Sequence, residues 1–172
     1  MRQLLLAVPF ILLTACDSDS PRVAPNLAEA RAAIEENFDQ WKYFQLDNYA
    51  YSINYKYNAG CGRTGDVVSG ELPTVRVIVE DGEVKEAFLS LDPGEPVTED
   101  WMRPLGTLDD LFQWALDELD DRPQVVTSWL GNGDELELPN FDADFNFIRN
   151  IYIRNETDGE CRAVGIDLHD FN

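Results

Sequence analysis

Two periods of apolar and polar residues organise this chain. Leu27, Ala30, Ile34, Phe38 and Trp41 recur at three- and four-residue spacing, one face of a helix. The spacing predicts a helix from Asn26 to about Phe44, stopping before Asp47-Asn48. Asn26 is placed to cap it, with Glu29 three residues on as in a capping box. The period then changes to two. Tyr49, Tyr51, Ile53, Tyr55 and Tyr57 alternate with Ala50, Ser52, Asn54 and Lys56, which predicts a strand. Its tyrosine face is expected to pack under a helix with the hydroxyls at the rim. A platform for an extended ligand is the alternative.

Residues 58–73 are glycine-rich, hold Cys61 and read as a loop. Thr74 to Glu80 and Glu83 to Leu91 flank Asp81-Gly82, a strong hairpin signal. A two-residue turn there sets Val79 opposite Val84 and Val75 opposite Phe88, and carries Glu86 onto the same face. Asp92 to Gly106 reads as a long irregular stretch. Thr107 is placed to cap a second helix, with Asp109 and Asp110 in its first turn and Leu108, Leu111, Phe112, Ala115, Leu116 and Leu119 as its buried stripe. Pro123 to Leu130 is expected as a short helix, since proline suits a first turn and Gly131 an exit. Glu135 to Phe141, Phe147 to Arg154 and Arg162 to Leu168 are expected strands. The order predicts an α+β fold: a mostly antiparallel sheet with two main helices packed against it.

The N-terminus carries a different signal. Met1-Arg2-Gln3 precedes an apolar run from Leu4 to Leu13 and then Thr14-Ala15-Cys16. A positive start, about ten apolar residues and a small residue before the cut make a secretory signal. The run is short of the ~20 residues of a membrane span. Leu13-Thr14-Ala15-Cys16 resembles the lipobox of bacterial lipoproteins. That resemblance implies lipidation of Cys16, a signal peptide over 1–15, a lipidated cysteine and tether over 16–25, and a single domain over 26–172. The membrane would then be a partner through the N-terminal lipid. The domain is expected at a bacterial cell membrane or outer membrane, facing the periplasm or exterior. Asp17 is the residue that, in some bacteria, retains lipoproteins at the inner membrane.

Charge narrows the partners. Thirteen Lys and Arg stand against 33 Asp and Glu, a net charge of −20, or −21 once Arg2 leaves with the signal. Phosphate backbones would be repelled, so no nucleic acid is expected as a ligand. The acidity reads as a solvated surface suited to saline surroundings, or as capture of a basic partner. Three cysteines are present. With Cys16 lipidated, Cys61 and Cys161 remain as a disulfide pair for an oxidising compartment. Two free thiols or a metal pair are the alternative, but the cysteines lack histidine neighbours.

Catalytic chemistry is sparse. The one histidine, His169, reads as a surface residue near the end of the sequence. There is no G-x-S-x-G, no H-E-x-x-H and no glycine-rich phosphate loop. Asp142, Asp144 and Asn146 copy the start of a calcium loop, but Phe147 and Ile153 stand where glycine and glutamate are needed, leaving a weak metal candidate. Aspartates opening a turn are the commoner cause. No cofactor is expected. Glu99, Asp100 and Trp101 form a candidate surface for an unknown envelope protein partner. A non-enzymatic binding module is therefore expected, with a calcium-dependent binding module and a carboxylate-using hydrolase as alternatives.

Taken in order, the motifs resemble a family of small bacterial lipoproteins classed only as a domain of unknown function. They are Trp41, Asn48-Tyr49-Ala50-Tyr51, Cys61, the hairpin Val77 to Val84, the helix start Thr107 to Phe112, and the strand pair from Asp142 to Ile153. The family's G-[YF]-P turn reads Asn146-Phe147-Ile148 here, and its cysteine-dense start is reduced to Cys61. The resemblance brings no assigned activity and so no catalytic residues. Its layout implies a small periplasmic α+β module that binds or inhibits other proteins.

Overall fold

The computed structural model describes residues 23–59, 68–98, 100, 103–128, 137–157 and 160–172. Among these residues two helices, α1 (Leu27–Lys42) and α2 (Leu108–Asp120), accompany eight strands. The strands are β1 (Tyr49–Ala59), β2 (Val68–Glu80), β3 (Glu83–Leu89), β4 (Asp92–Pro96), β5 (Val125–Thr127), β6 (Asn140–Phe141), β7 (Ile148–Thr157) and β8 (Glu160–His169). They form one antiparallel sheet in the order β4-β3-β2-β1-β8-β7-β5, with β6 also on β7. The α+β expectation therefore holds.

Alternation on β1 sets the layers. Tyr51, Ile53 and Tyr55 are fully buried and share a core with Val75, Val77, Ile151, Ile166 and Leu168 from the neighbouring strands. The helices add Ile34, Trp41, Leu111, Phe112 and Leu119 to it. Phe38 of α1 stacks on Phe112 of α2 at 4.7 Å between ring centroids. Leu116, expected in the buried stripe of α2, is half-buried at the edge of the core.

Two bulges keep these faces in phase. Ile53 pairs with Val75 but Tyr55 with Leu72, so β2 carries one extra residue beside Pro73, which has no N–H for the ladder. On β3, Val79 pairs with Val84 as expected, but Ile78 pairs with Glu86. The extra residue is Lys85. It moves Glu86 to the exposed side and sets Val75 opposite Leu89 rather than Phe88. The hairpin itself turns at Asp81 and Gly82, both at positive φ (54° and 73°), as a two-residue primed turn requires.

Several expected elements differ. Strand structure extends into the expected 58–73 loop, since β1 runs to Ala59 and β2 starts at Val68. The supposed short helix after Pro123 is the edge strand β5: Gln124 N–H donates to Arg154 O, and Val125 and Val126 are β-branched. The acidic stretch contains β4, exposed throughout, whose Pro93 and Pro96 leave the sheet edge without those donors. Of the expected 135–141 strand, Asn140–Phe141 pairs with β7, residues 137–139 are irregular, and 135–136 lie outside the described residues.

The two helix caps also part company. Thr107 Oγ1 accepts from Asp110 N–H at 3.2 Å, and the Asp110 carboxylate accepts from Thr107 N–H at 2.8 Å, a full capping box. A Cβ on Gly106 would sit 2.5 Å from Asp110 Cβ, so the approach needs glycine. Asn26, by contrast, makes no cap hydrogen bond. Its buried side chain donates to Val126 O at 2.8 Å and Glu137 O at 3.2 Å, tying α1 to β5 instead. Ala24 N–H donates to Pro123 O nearby, so the chain enters the domain at the β5 edge.

Candidate binding surface

The buried tyrosines position the loop before α2. Tyr51 Oη donates to Gly106 O at 2.6 Å, Tyr55 Oη donates to Pro104 O at 3.1 Å, and Tyr49 Oη accepts from Leu108 N–H at 2.9 Å. The last bond satisfies a donor that the first turn of a helix leaves unpaired. Burial, with Asp109 and Asp110 nearby, pushes the Tyr49 hydroxyl up to about 12. Burial also raises Tyr51 well above the ordinary tyrosine range. Tyr49, Tyr51 and Tyr55 are thus core, as expected, but their hydroxyls are engaged by backbone in the interior rather than at the rim.

The opposite face of the same strands is polar. Register aligns Phe88, Arg76, Ser52 and His169 in one row across β3, β2, β1 and β8. The next row runs through Thr74, Asn54, Asp167 and Asn150; Thr74 Oγ1 donates to Asn54 Oδ1, and Asn150 Nδ2 to Asp167 Oδ1. Arg76 Nη1 donates to Asp170 O at 2.8 Å and Ser52 Oγ at 3.2 Å, and Nη2 to Asn172 Oδ1 at 2.7 Å. His169 Nδ1 lies 2.8 Å from Asp170 Oδ2, while its Nε2 is buried with no partner among the described residues. Far from a plain surface residue, His169 is half-buried in β8. Ser52, Thr74, Arg76, Phe88, Ser90, Leu91, His169 and Asp170 line an open groove of about 470 Å³. That volume falls within the ~300–1,000 Å³ range of small-ligand clefts.

Asp100, Asp142, Asp144, Asn146 and Cys161, the described residues among the sequence candidates, are not in the lining of that groove. Cys16, Cys61, Glu99 and Trp101 lie outside the described residues. Asp100 is exposed and exchanges backbone bonds with Arg103. Asp142 closes a turn: its Oδ1 accepts from Asp144 N–H at 3.0 Å and Phe145 N–H at 2.9 Å, and Asn146 takes positive φ (62°). Asp142 Oδ2 lies 3.9 Å from Arg149 Nη1. Among the described residues no three His, Cys, Asp or Glu side chains are gathered as a metal set. Cys161 stands beside Arg162, which pairs with Ala59, two residues before Cys61 in the sequence.

One other carboxylate sits in an unusual setting. Glu118 of α2 is half-buried, and desolvation raises its carboxyl against the opposing pull of Arg162 and Asn155. Asn155 Nδ2 donates to Glu118 Oε2 at 2.6 Å, and Arg162 Nη2 lies 4.0 Å from Glu118 and 3.9 Å from Asp121. This set ties α2 to β7 and β8.

Comparison with known family models, curated proteins and solved structures finds no match. The polar groove was missed in sequence because its rows join β1, β2 and β3 to β8, and the facing residues Ser52 and His169 are more than a hundred positions apart. The available signal was small: an arginine inside the apolar run Thr74 to Glu80, and a histidine closing the alternation of β8.

Proposed function

We propose that this chain is a lipid-anchored protein of the bacterial envelope that acts by binding, through the polar face of its sheet. The observation that carries the binding role is the groove over β3, β2, β1 and β8, where an arginine and a histidine meet apolar Phe88 and Leu91. The lipobox resemblance at Leu13 to Cys16 and the motif order shared with small bacterial lipoproteins support the envelope setting. Placement agrees with it. The chain enters at the β5 edge, and β1 and β2 lie three and four strands away in the sheet order, about 14–19 Å at ~4.8 Å per strand. A domain hung from Cys16 would hold the groove away from its tether. The even pair left once Cys16 is lipidated, Cys61 and Cys161, is the ground for proposing that they bridge in an oxidising compartment.

Two measurements test this reading. Radiolabelled palmitate should enter the chain and be lost in Cys16→Ala. A photoreactive residue at Ser90, in the groove, should crosslink in the native envelope to a species that one at exposed Gln113 on α2 does not capture. Equal labelling of Cys16→Ala removes the anchor, and identical capture from both positions removes the groove as the binding surface.

A further inference from the structure

We propose that the groove recognises the carboxylate of a small organic acid with an apolar body. This rests on the binding role proposed above and adds the ligand class. Arg76 is the key. In a chain with 33 acidic residues, none of the ion pairs among the described residues includes it. Its three acceptors among the described residues, Ser52 Oγ, Asp170 O and Asn172 Oδ1, are all neutral. A guanidinium has five N–H donors, so two are left without an acceptor among the described residues, in the forked geometry that suits a carboxylate. A half-buried cation with neutral partners keeps its charge for a ligand.

The surroundings define the rest of the ligand. Leu91 is 96 % exposed and Phe88 is half-buried, and both line the groove beside Arg76. They offer apolar contact to a short chain whose head meets Arg76. Asp170 is the opposing charge at this rim, and its carboxylate faces His169 Nδ1 at 2.8 Å. A singly charged head is therefore favoured over phosphate, which adds negative charge beside Asp170 in a strongly acidic protein.

The test is calorimetric titration of the whole domain at low salt with hexanoate, hexanamide and inorganic phosphate. Hexanoate should bind about ten-fold more tightly than either of the others. Arg76→Lys keeps the charge without the fork and should weaken hexanoate about five-fold. Because Arg76 also holds the 170–172 segment, Leu91→Ser is the second variant: it should weaken hexanoate several-fold with unchanged melting temperature. Equal binding of hexanoate and hexanamide overturns the proposal, as does phosphate binding as tightly as hexanoate. So does undiminished hexanoate binding by both variants. If hexanoate fails while the Ser90 crosslink succeeds, the ligand class is wrong and the binding role stands. The converse result leaves the carboxylate site without an envelope partner.

Discussion

Tyr51 and Ser52 are adjacent in β1 and lie on opposite faces of the sheet. Tyr51 is fully buried between the strands and the loop before α2, its hydroxyl bound to Gly106 O. Ser52 meets Arg76 and stands opposite His169, on a face that no described helix covers. The same alternation runs through β2, where Val75 and Val77 join the core while Thr74 and Arg76 face the groove. One face spends its residues on packing, and the other leaves hydrogen-bonding and charged groups available. Each prediction below separates the two.

The largest contrast is Tyr51→Ala against Phe88→Ala. Tyr51→Ala should cost about 3–5 kcal/mol in urea unfolding, since it opens a cavity and strands Gly106 O. Phe88→Ala on the groove face should cost under about 1 kcal/mol. Equal losses would show that the two faces are equally packed. Next, reduction of the proposed Cys61–Cys161 bridge should cost about 2–4 kcal/mol. Two thiols titrating in the unreduced, denatured protein would exclude that bridge.

Alkaline pH addresses Tyr49 on the buried face. Tyr49 titrates at about 12 when folded and at about 10 when unfolded. The unfolded chain therefore loses its proton first, and stability falls as pH rises from about 10 through about 12. In Tyr49→Phe the decline over that window should be smaller, as followed by denaturant midpoints at stepped pH. A smaller effect than those at Tyr51 and the proposed bridge is at the α2 cap: Thr107→Ala should cost about 1 kcal/mol and leave groove binding unchanged. A loss of ligand affinity in that variant would show the two faces to be coupled.

Legibility in the sequence followed the range of the interactions. The tyrosine strand, the Asp81-Gly82 turn and the Thr107 cap depend on residues within a few positions of each other, and all three are present. Asn26 was misread because its side chain reaches Val126 O and Glu137 O, acceptors a hundred positions away that displace the local cap. The helix expected after Pro123 became β5 because β7 supplies a pairing edge that no local pattern announces. Glu86 looked misplaced in the core until the Lys85 bulge moved it outward.

Periodicity and turn chemistry alone determined that this chain would be an antiparallel sheet under two amphipathic helices, with Tyr51 and Tyr55 inward. These are properties of single segments, in which a side chain's face follows from its position. Only the tertiary structure decided the groove. Arg76, Ser52 and His169 become neighbours when β1 pairs with β2 on one side and with β8, over a hundred residues later, on the other. Pairing across such distances is set by which apolar faces fit a common core, and the polar row on the reverse face is brought together as its consequence.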